Sequence, residues 1–75
     1  MKFKDIRGYL SRIDRVSICC KEDLSYENFM RIGDVPDKYN EKYLYGFGVI
    51  ESEFEIAGKT VFLPCVEFML SDYEK

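Results

Sequence analysis

The chain has 75 residues, of which 47% are hydrophobic, 16% aromatic and 33% charged. This length fits one small domain, residues 1–75, with little interior for a deep cleft. The composition excludes a disordered tail, a collagen-like repeat and a coiled coil. No stretch approaches the ~20 apolar residues of a membrane span, and the first residues lack the apolar run of a signal peptide. We therefore expect a cytoplasmic protein that has no membrane partner.

Histidine is absent and there are three cysteines. Nucleophile systems that need histidine and zinc sites with mixed ligands are therefore excluded. Cys19 and Cys20 are adjacent and Cys65 is distant, a spacing that matches no zinc, iron–sulfur or redox motif. We expect no metal, no cofactor and no enzymatic activity. The cysteines are interpreted as packing residues in strands, with one reactive or chain-bridging thiol as the alternative.

The charges are unevenly distributed along the chain. Residues 1–21 carry six basic and two acidic side chains, a net charge of +4, whereas residues 22–75 carry five basic and twelve acidic ones, a net charge of −7. Such asymmetry is typical of a binding surface, and equally of two parts of one fold that complement each other.

Residues 3–14 predict an amphipathic helix, because apolar side chains recur at spacings of three and four: Phe3, Ile6, Tyr9, Leu10 and Ile13. Residues 16–20 then predict a strand. Residues 21–42 show no clean period and are interpreted as an irregular connection with some extended character. Pro36 predicts the start of one short helical turn that ends near Lys42.

The C-terminal part predicts a long β-hairpin, with an outgoing strand over 43–56, a turn at 57–59 and a return strand over 60–70. On the outgoing strand, alternation places Tyr43, Tyr45, Phe47 and Val49 on one face, which becomes acidic further along. The opposite face, which contains Phe54, is predicted to be the core face near the turn. Pro64 predicts an edge or a bulge in the return strand, because proline donates no ladder hydrogen bond.

These elements predict an α+β fold: one N-terminal amphipathic helix packed on a small antiparallel sheet of three to four strands, with the long C-terminal hairpin. One helix covers one sheet face only. The aromatic half of the other face then needs cover, either from Tyr26, Phe29 and Tyr39 of the irregular segment or from a second copy of the protein.

Two clusters are candidate interaction residues. The first is an aromatic anchor made of Tyr43, Tyr45 and Phe47, because tyrosine and phenylalanine are enriched at protein interfaces. The second is an acidic row along the hairpin, able to dock a basic partner or to remain a solvated strand face: Glu51, Glu53, Glu55 and Glu67.

An alternative surface is the basic side of the predicted helix, which would neutralise the phosphates of a nucleic acid. This surface is also consistent with a solvated helix face or with docking to an acidic protein. Its residues are Lys4, Arg7, Arg12 and Arg15.

Two stretches, Ile32-Gly33-Asp34-Val35-Pro36-Asp37-Lys38-Tyr39 and Tyr45-Gly46-Phe47-Gly48-Val49-Ile50-Glu51-Ser52-Glu53-Phe54, resemble short uncharacterised proteins carried on mobile elements of Gram-positive gut bacteria. The resemblance implies an accessory protein of a plasmid, conjugative element or prophage, and it implies no particular site.

The sequence thus predicts a small non-enzymatic protein-interaction or regulatory accessory protein. Its partner is another protein or a second copy in a homodimer, bound through the aromatic anchor and the acidic row. The alternative is a nucleic-acid-binding accessory protein that uses the basic residues.

Overall fold

The computed structural model describes residues 1–10 and 14–74. Helix α1 spans Phe3–Arg7 and continues as a 3-10 turn over Gly8–Leu10. Two further 3-10 turns, Ile32–Asp34 and Asp37–Tyr39, lie between the second and third strands. The four strands are β1 (Asp14–Cys20), β2 (Tyr26–Arg31), β3 (Tyr43–Ile56) and β4 (Lys59–Ser71). No helix in the described part of the chain is long and apolar enough to cross a membrane.

The four strands form one sheet in the order β2-β1-β4-β3. The two hairpin pairs, β1 with β2 and β3 with β4, are antiparallel, whereas β1 and β4 run parallel. The α+β class is therefore correct, and the prediction of a purely antiparallel sheet is wrong. The parallel pair joins strands that are distant in the sequence, so no local turn signal announces it.

The hydrophobic core lies between one sheet face and the N-terminal segment. Its buried side chains come from all parts of the chain: Phe3, Val16, Ile18, Ile32, Val35, Tyr39, Phe68 and Leu70. The rings of Phe3 and Phe68 meet edge to face with centroids 5.6 Å apart. Burial of this aromatic pair fixes α1 on the centre of the sheet.

The N-terminal helix is shorter than the predicted 3–14. Its α-helical part ends at Arg7, and Gly8 begins the tighter 3-10 turn. Phe3, Ile6 and Leu10 face the core as predicted, whereas Tyr9 is 89% exposed. Glycine is a poor helix former, so Gly8 explains the early loss of regular helix. Ile13 lies outside the described residues.

The segment 21–42 contains more structure than predicted. It holds strand β2, and the described helical turn after Pro36 is Asp37–Tyr39, close to the predicted one. Phe29 packs against the core and Tyr39 is buried in it, on the side of α1, whereas Tyr26 remains exposed. Phe29 and Tyr39 therefore do not cover the second sheet face.

The C-terminal hairpin is confirmed, with strand limits within one residue of those predicted and Ala57-Gly58 as its turn. Between Lys59 and Cys65, the side of β4 that β1 occupies further along the strand has no ladder partner among the described residues. Pro64 lies in this half of β4, which agrees with the predicted edge. The carbonyl of Pro64 instead accepts a hydrogen bond from Arg15 Nε at 2.9 Å.

The far half of the hairpin folds over the second sheet face. Phe54 and Cys65, which point to this face, are both buried. The amide Nδ2 of Asn28 in β2 donates to Ser52 Oγ at 2.7 Å and to the Glu53 carbonyl at 2.9 Å. The burial of Phe54 confirms the predicted core face near the turn. The hairpin itself therefore shields the second face.

The turn of the C-terminal hairpin holds an alanine in a strained backbone conformation. Ala57 has φ +52° and Gly58 has φ +78°, the pattern of a type I′ turn. A positive φ is costly for alanine and better tolerated by asparagine. Ala57→Asn is expected to raise the free energy of unfolding by about 0.5–1 kcal/mol, measured by urea denaturation. The control, Gly58→Ala, should lower it, and equal stability of the two variants would contradict this reading.

Glu41, in the connection before β3, forms ion pairs with two lysines of the N-terminal segment. Its carboxylate accepts from Lys2 Nζ at 2.9 Å and from Lys4 Nζ at 2.8 Å. These two hydrogen-bonded lysines lower the pKa of Glu41 from 4.5 to about 2. Because the pKa of Glu41 is lower in the folded state than in the unfolded state, its ionised carboxylate stabilises the fold at pH values above the unfolded-state pKa. This stabilisation is lost as the pH falls and the carboxylate is protonated.

Glu41→Gln is therefore expected to reduce the loss of stability between pH 4.5 and about 2. The measurement is the thermal midpoint across this pH range for both proteins. Glu55→Gln is the matched control, because Glu55 is exposed and has no ion pair within the described ranges. Parallel curves for wild type and Glu41→Gln would show that the ion pairs do not stabilise the fold.

Candidate functional site: the outer edge of strand β3

A β-bulge divides the predicted aromatic anchor. The pairing of β3 with β4 shifts by one residue between Leu44 and Gly46, so Tyr45 is the extra residue. Tyr43 pairs with Ser71 and points to the second face, whereas Phe47 pairs with Phe68 on the side of α1. The prediction of a three-residue anchor assumed that side chains alternate regularly between the faces along β3. The bulge breaks this alternation and places Tyr43 and Phe47 on opposite faces.

The two tyrosines of the predicted anchor are engaged within the chain. Lys2 Nζ lies 5.6 Å from the ring centre of Tyr43, and Lys21 Nζ lies 4.9 Å from that of Tyr45. Both rings are half-buried. Such cation–π contacts occupy the faces that a partner would use. Phe47 is the member of the anchor that remains presented to solvent.

Phe47 and Val49 form the exposed apolar part of β3. They are 74% and 76% exposed, although both point to the same side as α1. The helix leaves an apolar groove beside them, with a volume of about 530 Å³. Every residue along this groove is glycine or apolar, with Phe68 in its floor and these six along its walls: Met1, Ile6, Leu10, Phe47, Val49 and Val66.

The backbone edge of β3 is open beside the groove. The carbonyl of Glu53 accepts from Asn28, so the backbone groups of Glu53 point away from β4. The register is regular from Gly46 to Ile56, so alternation points the N–H and C=O groups of Phe47, Val49 and Glu51 outward as well. No described residue bonds these six groups. They form a free ladder edge of five residues.

The free edge is closed at both ends by the chain itself. At one end Leu44 donates its N–H to the Met1 carbonyl at 2.8 Å, next to the bridge between Lys2 and Tyr43. At the other end Asn28 occupies the Glu53 carbonyl. Five residues span about 17 Å, close to the common length of one strand. The edge is therefore a slot of limited length.

The predicted acidic row is only partly one surface. Glu51, Glu53 and Glu55 are exposed and share one face of the hairpin, where they pair with Pro64, Phe62 and Thr60. Glu67 pairs with Gly48 and points to the opposite face. Since alternation along one strand says nothing about the facing strand, the sequence does not reveal this separation.

Glu67 belongs instead to a polar row across the second face. Asn28, Ser17, Glu67 and Gly48 are register partners on four successive strands. Ser17 is 1% exposed, and its hydroxyl has no hydrogen-bond partner among the described residues. The Oδ1 atom of Asn28 is likewise buried without a donor. Buried polar atoms of this kind are uncommon and need a functional or solvent explanation.

An acidic pocket of about 300 Å³ lies where this row meets the edge of β3. Glu51, Ser52 and Glu53 form one wall, and Ser17 with Glu67 forms another. Two exposed aromatic rings, Tyr26 and Phe62, complete the lining with Ile50. No basic side chain of the described residues lines this pocket, so its field is negative.

The three cysteines lie in strands β1 and β4 and are separate, free thiols. All three thiols are free, Cys19 and Cys65 are buried, and Cys20 is half-buried. Burial raises the pKa of the Cys19 and Cys65 thiols, and the nearby Glu67 carboxylate raises both further. Since the thiolate is the reactive form, these two positions favour packing over nucleophilic chemistry. No metal-ligand cluster occurs within residues 1–10 and 14–74.

The basic residues do not gather on one helix face. Lys4 pairs with Glu41, and Arg15 lies in β1, where it bonds the Pro64 carbonyl. The guanidinium of Arg7 is half-buried and donates to the Asn40 side chain at 3.0 Å and to the Ile32 carbonyl at 3.3 Å. Arg7 also donates to the Val35 carbonyl. Arg12 lies outside the described residues.

Sequence reasoning missed the other contributors to the site. Met1, Ile6 and Leu10 reach the groove because the N-terminal segment crosses the sheet beside β3. Ser17 and Asn28 carry no motif, and their partnership follows from strand register alone. The available signal was the Gly46-Phe47-Gly48 segment, since glycines within a strand often mark a bulge or an open surface.

Comparison of the chain with protein-family models, with curated proteins and with solved structures gives no significant match. The resemblance to proteins of mobile elements therefore stays a prediction. The function has to be inferred from the site itself.

The three acceptors around Arg7 predict a structural role for this residue. Arg7→Ala would leave the carbonyls of Ile32 and Val35 without their donor, so we expect a loss of about 1–3 kcal/mol in the free energy of unfolding. Arg7→Lys should restore only part of it, because lysine lacks the planar fork. Urea denaturation with the exposed Arg31→Ala variant as the control measures this. Unchanged stability of Arg7→Ala would instead free Arg7 for a binding role.

Proposed function

We propose that this protein is a small non-enzymatic interaction module that binds another protein at the outer edge of β3. The observation that supports the proposal best is the apolar groove beside two largely exposed side chains, Phe47 and Val49. Contiguous exposed apolar surface is a frequent mark of a protein–protein interface.

The energetics of the edge favour a protein partner. Full burial of side chains such as Phe47 and Val49 is worth about 1.5–3 kcal/mol each. The outward backbone groups of the edge would add ladder hydrogen bonds, as in other cases of strand addition. An exposed strand edge is an aggregation hazard unless it is protected or used. Its use by a partner would account for the exposed apolar residues at this edge.

The chemistry of the remaining side chains also supports binding over catalysis. The chain contains no histidine, and the pKa values of two buried thiols are raised rather than lowered. The acidic side chains beside the edge add a negative field, which accelerates association with a basic partner.

A capture experiment tests the proposal. Tagged protein would be incubated with a lysate of the cells that express it, with and without nuclease treatment, and the bound proteins quantified by mass spectrometry. Val49→Lys places a charge in the apolar groove and is expected to reduce recovery of specific partners at least about tenfold, a difference of 1.4 kcal/mol. Tyr9→Lys is the matched control, because Tyr9 is also largely exposed but does not line the groove.

Equal partner sets for wild type and Val49→Lys would contradict binding at this edge. Recovery that depends on intact nucleic acid would instead favour the basic residues as the functional surface. Circular dichroism of each variant establishes that the fold is retained. Light scattering of the purified protein shows whether the bound partner is a second copy.

A further inference from the structure

We propose that the partner binds as an extended peptide segment that carries an apolar residue and, three positions away, a lysine or arginine. This inference rests on the proposed function and specifies the chemistry of its partner. The segment lies along Phe47–Glu51 as a fifth strand. Its apolar side chain enters the groove, and its basic side chain enters the acidic pocket.

The two subsites lie at opposite ends of the same short edge. Residues 47–49 border the apolar groove, and residues 50–53 border the acidic pocket. The edge between them offers the outward backbone groups of Phe47, Val49 and Glu51. A single extended segment of five or six residues therefore reaches both subsites.

The two subsites also lie on opposite faces of the sheet. The groove is on the side of α1, whereas Ser17 and Glu67 of the acidic pocket belong to the second face. Successive side chains of a strand alternate between faces, so the two anchoring residues of a ligand are separated by an odd number of positions. A separation of three matches the distance between Val49 and Ser52 along the edge.

The acidic pocket is built to receive a donor with positive charge. The Glu67 carboxylate points to this face, and Glu51 and Glu53 line the same pocket. The buried Ser17 hydroxyl beside them has no hydrogen-bond partner among the described residues. Both the ammonium of lysine and the guanidinium of arginine carry only donors, which matches these groups. The rings of Tyr26 and Phe62 add surfaces on which such cations bind favourably. An anionic ligand has no complement here.

A second copy paired edge to edge through β3 does not meet this requirement. The open edge, Phe47–Glu51, contains no basic residue and ends in a glutamate. Pairing of two such edges would leave both acidic pockets without a cation. The charge pattern therefore points to a different, basic chain.

Two heptapeptides test the inference directly. Both are acetylated polythreonine with valine at the third position, and arginine stands at the sixth position in one and at the fifth in the other. They have the same composition and charge, but only the first presents its two anchors to opposite faces. Each is titrated into the ¹⁵N-labelled protein, and amide shifts are followed by NMR.

We expect the first peptide to bind about tenfold more tightly than the second, a difference of 1.4 kcal/mol, with shifts centred on the Phe47, Val49 and Glu51 amides. Glu67→Gln should weaken the first peptide selectively. Val49→Pro should abolish binding of both, because it removes an outward donor that no described residue uses. If the proline variant does not fold, Val49→Lys should still weaken both peptides, because it places a charge in the apolar groove.

Equal affinities for the two peptides would overturn the inference, as would shifts away from β3 or no shifts at about 10 mM peptide, beyond the range of a weak specific complex. A partner captured through Val49 would in that case leave the proposed function intact. Failure of both experiments would remove the function as well.

Discussion

The fold depends on the fact that β4 has two neighbouring strands along one half of its length and one along the other. From Val66 to Leu70 it pairs with both β1 and β3, whereas from Lys59 to Cys65 its only ladder partner in the described part of the chain is β3. The doubly paired half carries Phe68 and Leu70, which are almost completely buried. Free of β1, the other half can bend over the second face, where Asn28 holds it.

The difference between the two halves of β4 creates the candidate site, because it lets the hairpin bend over the second face. Once the hairpin has bent, the backbone of Glu53 is engaged with β2, while the N-terminal residues hold the other end of β3. The edge between these two points is left without cover in the described structure. The same bend brings Ser17, Glu67 and Glu51 around one pocket. Apolar groove, open edge and acidic pocket are thus one arrangement.

Local features of the sequence predicted local structure well. The hairpin limits and the core position of Phe54 follow from alternation, and Pro64 marks the singly paired half of β4. The helix prediction extended too far, because an apolar stripe does not register the effect of Gly8. The described helix and 3-10 turn stop at Leu10.

Non-local features were not predictable in this way. The parallel pairing of β1 with β4, the bulge at Tyr45 and the burial of Arg7 against backbone carbonyls all depend on the finished fold. Their consequences reach the candidate site directly. The bulge separates Phe47 from Tyr43, and the parallel register places Ser17 beside Glu67. Sequence patterns therefore identified the strand that matters but not the residues that act together on it.

The parallel pair also sets the order in which the chain can fold. Val16 pairs with Val66, fifty positions later in the chain. Contacts between residues so distant in sequence are slow to form, because a long loop must close before they contribute. During synthesis β1 and β2 are complete well before β4 emerges, so the central ladder can form only after residues 66–70 have been made. Until then the apolar faces of β1 and β2 have no sheet to join, and their protection from other chains depends on how quickly β4 arrives.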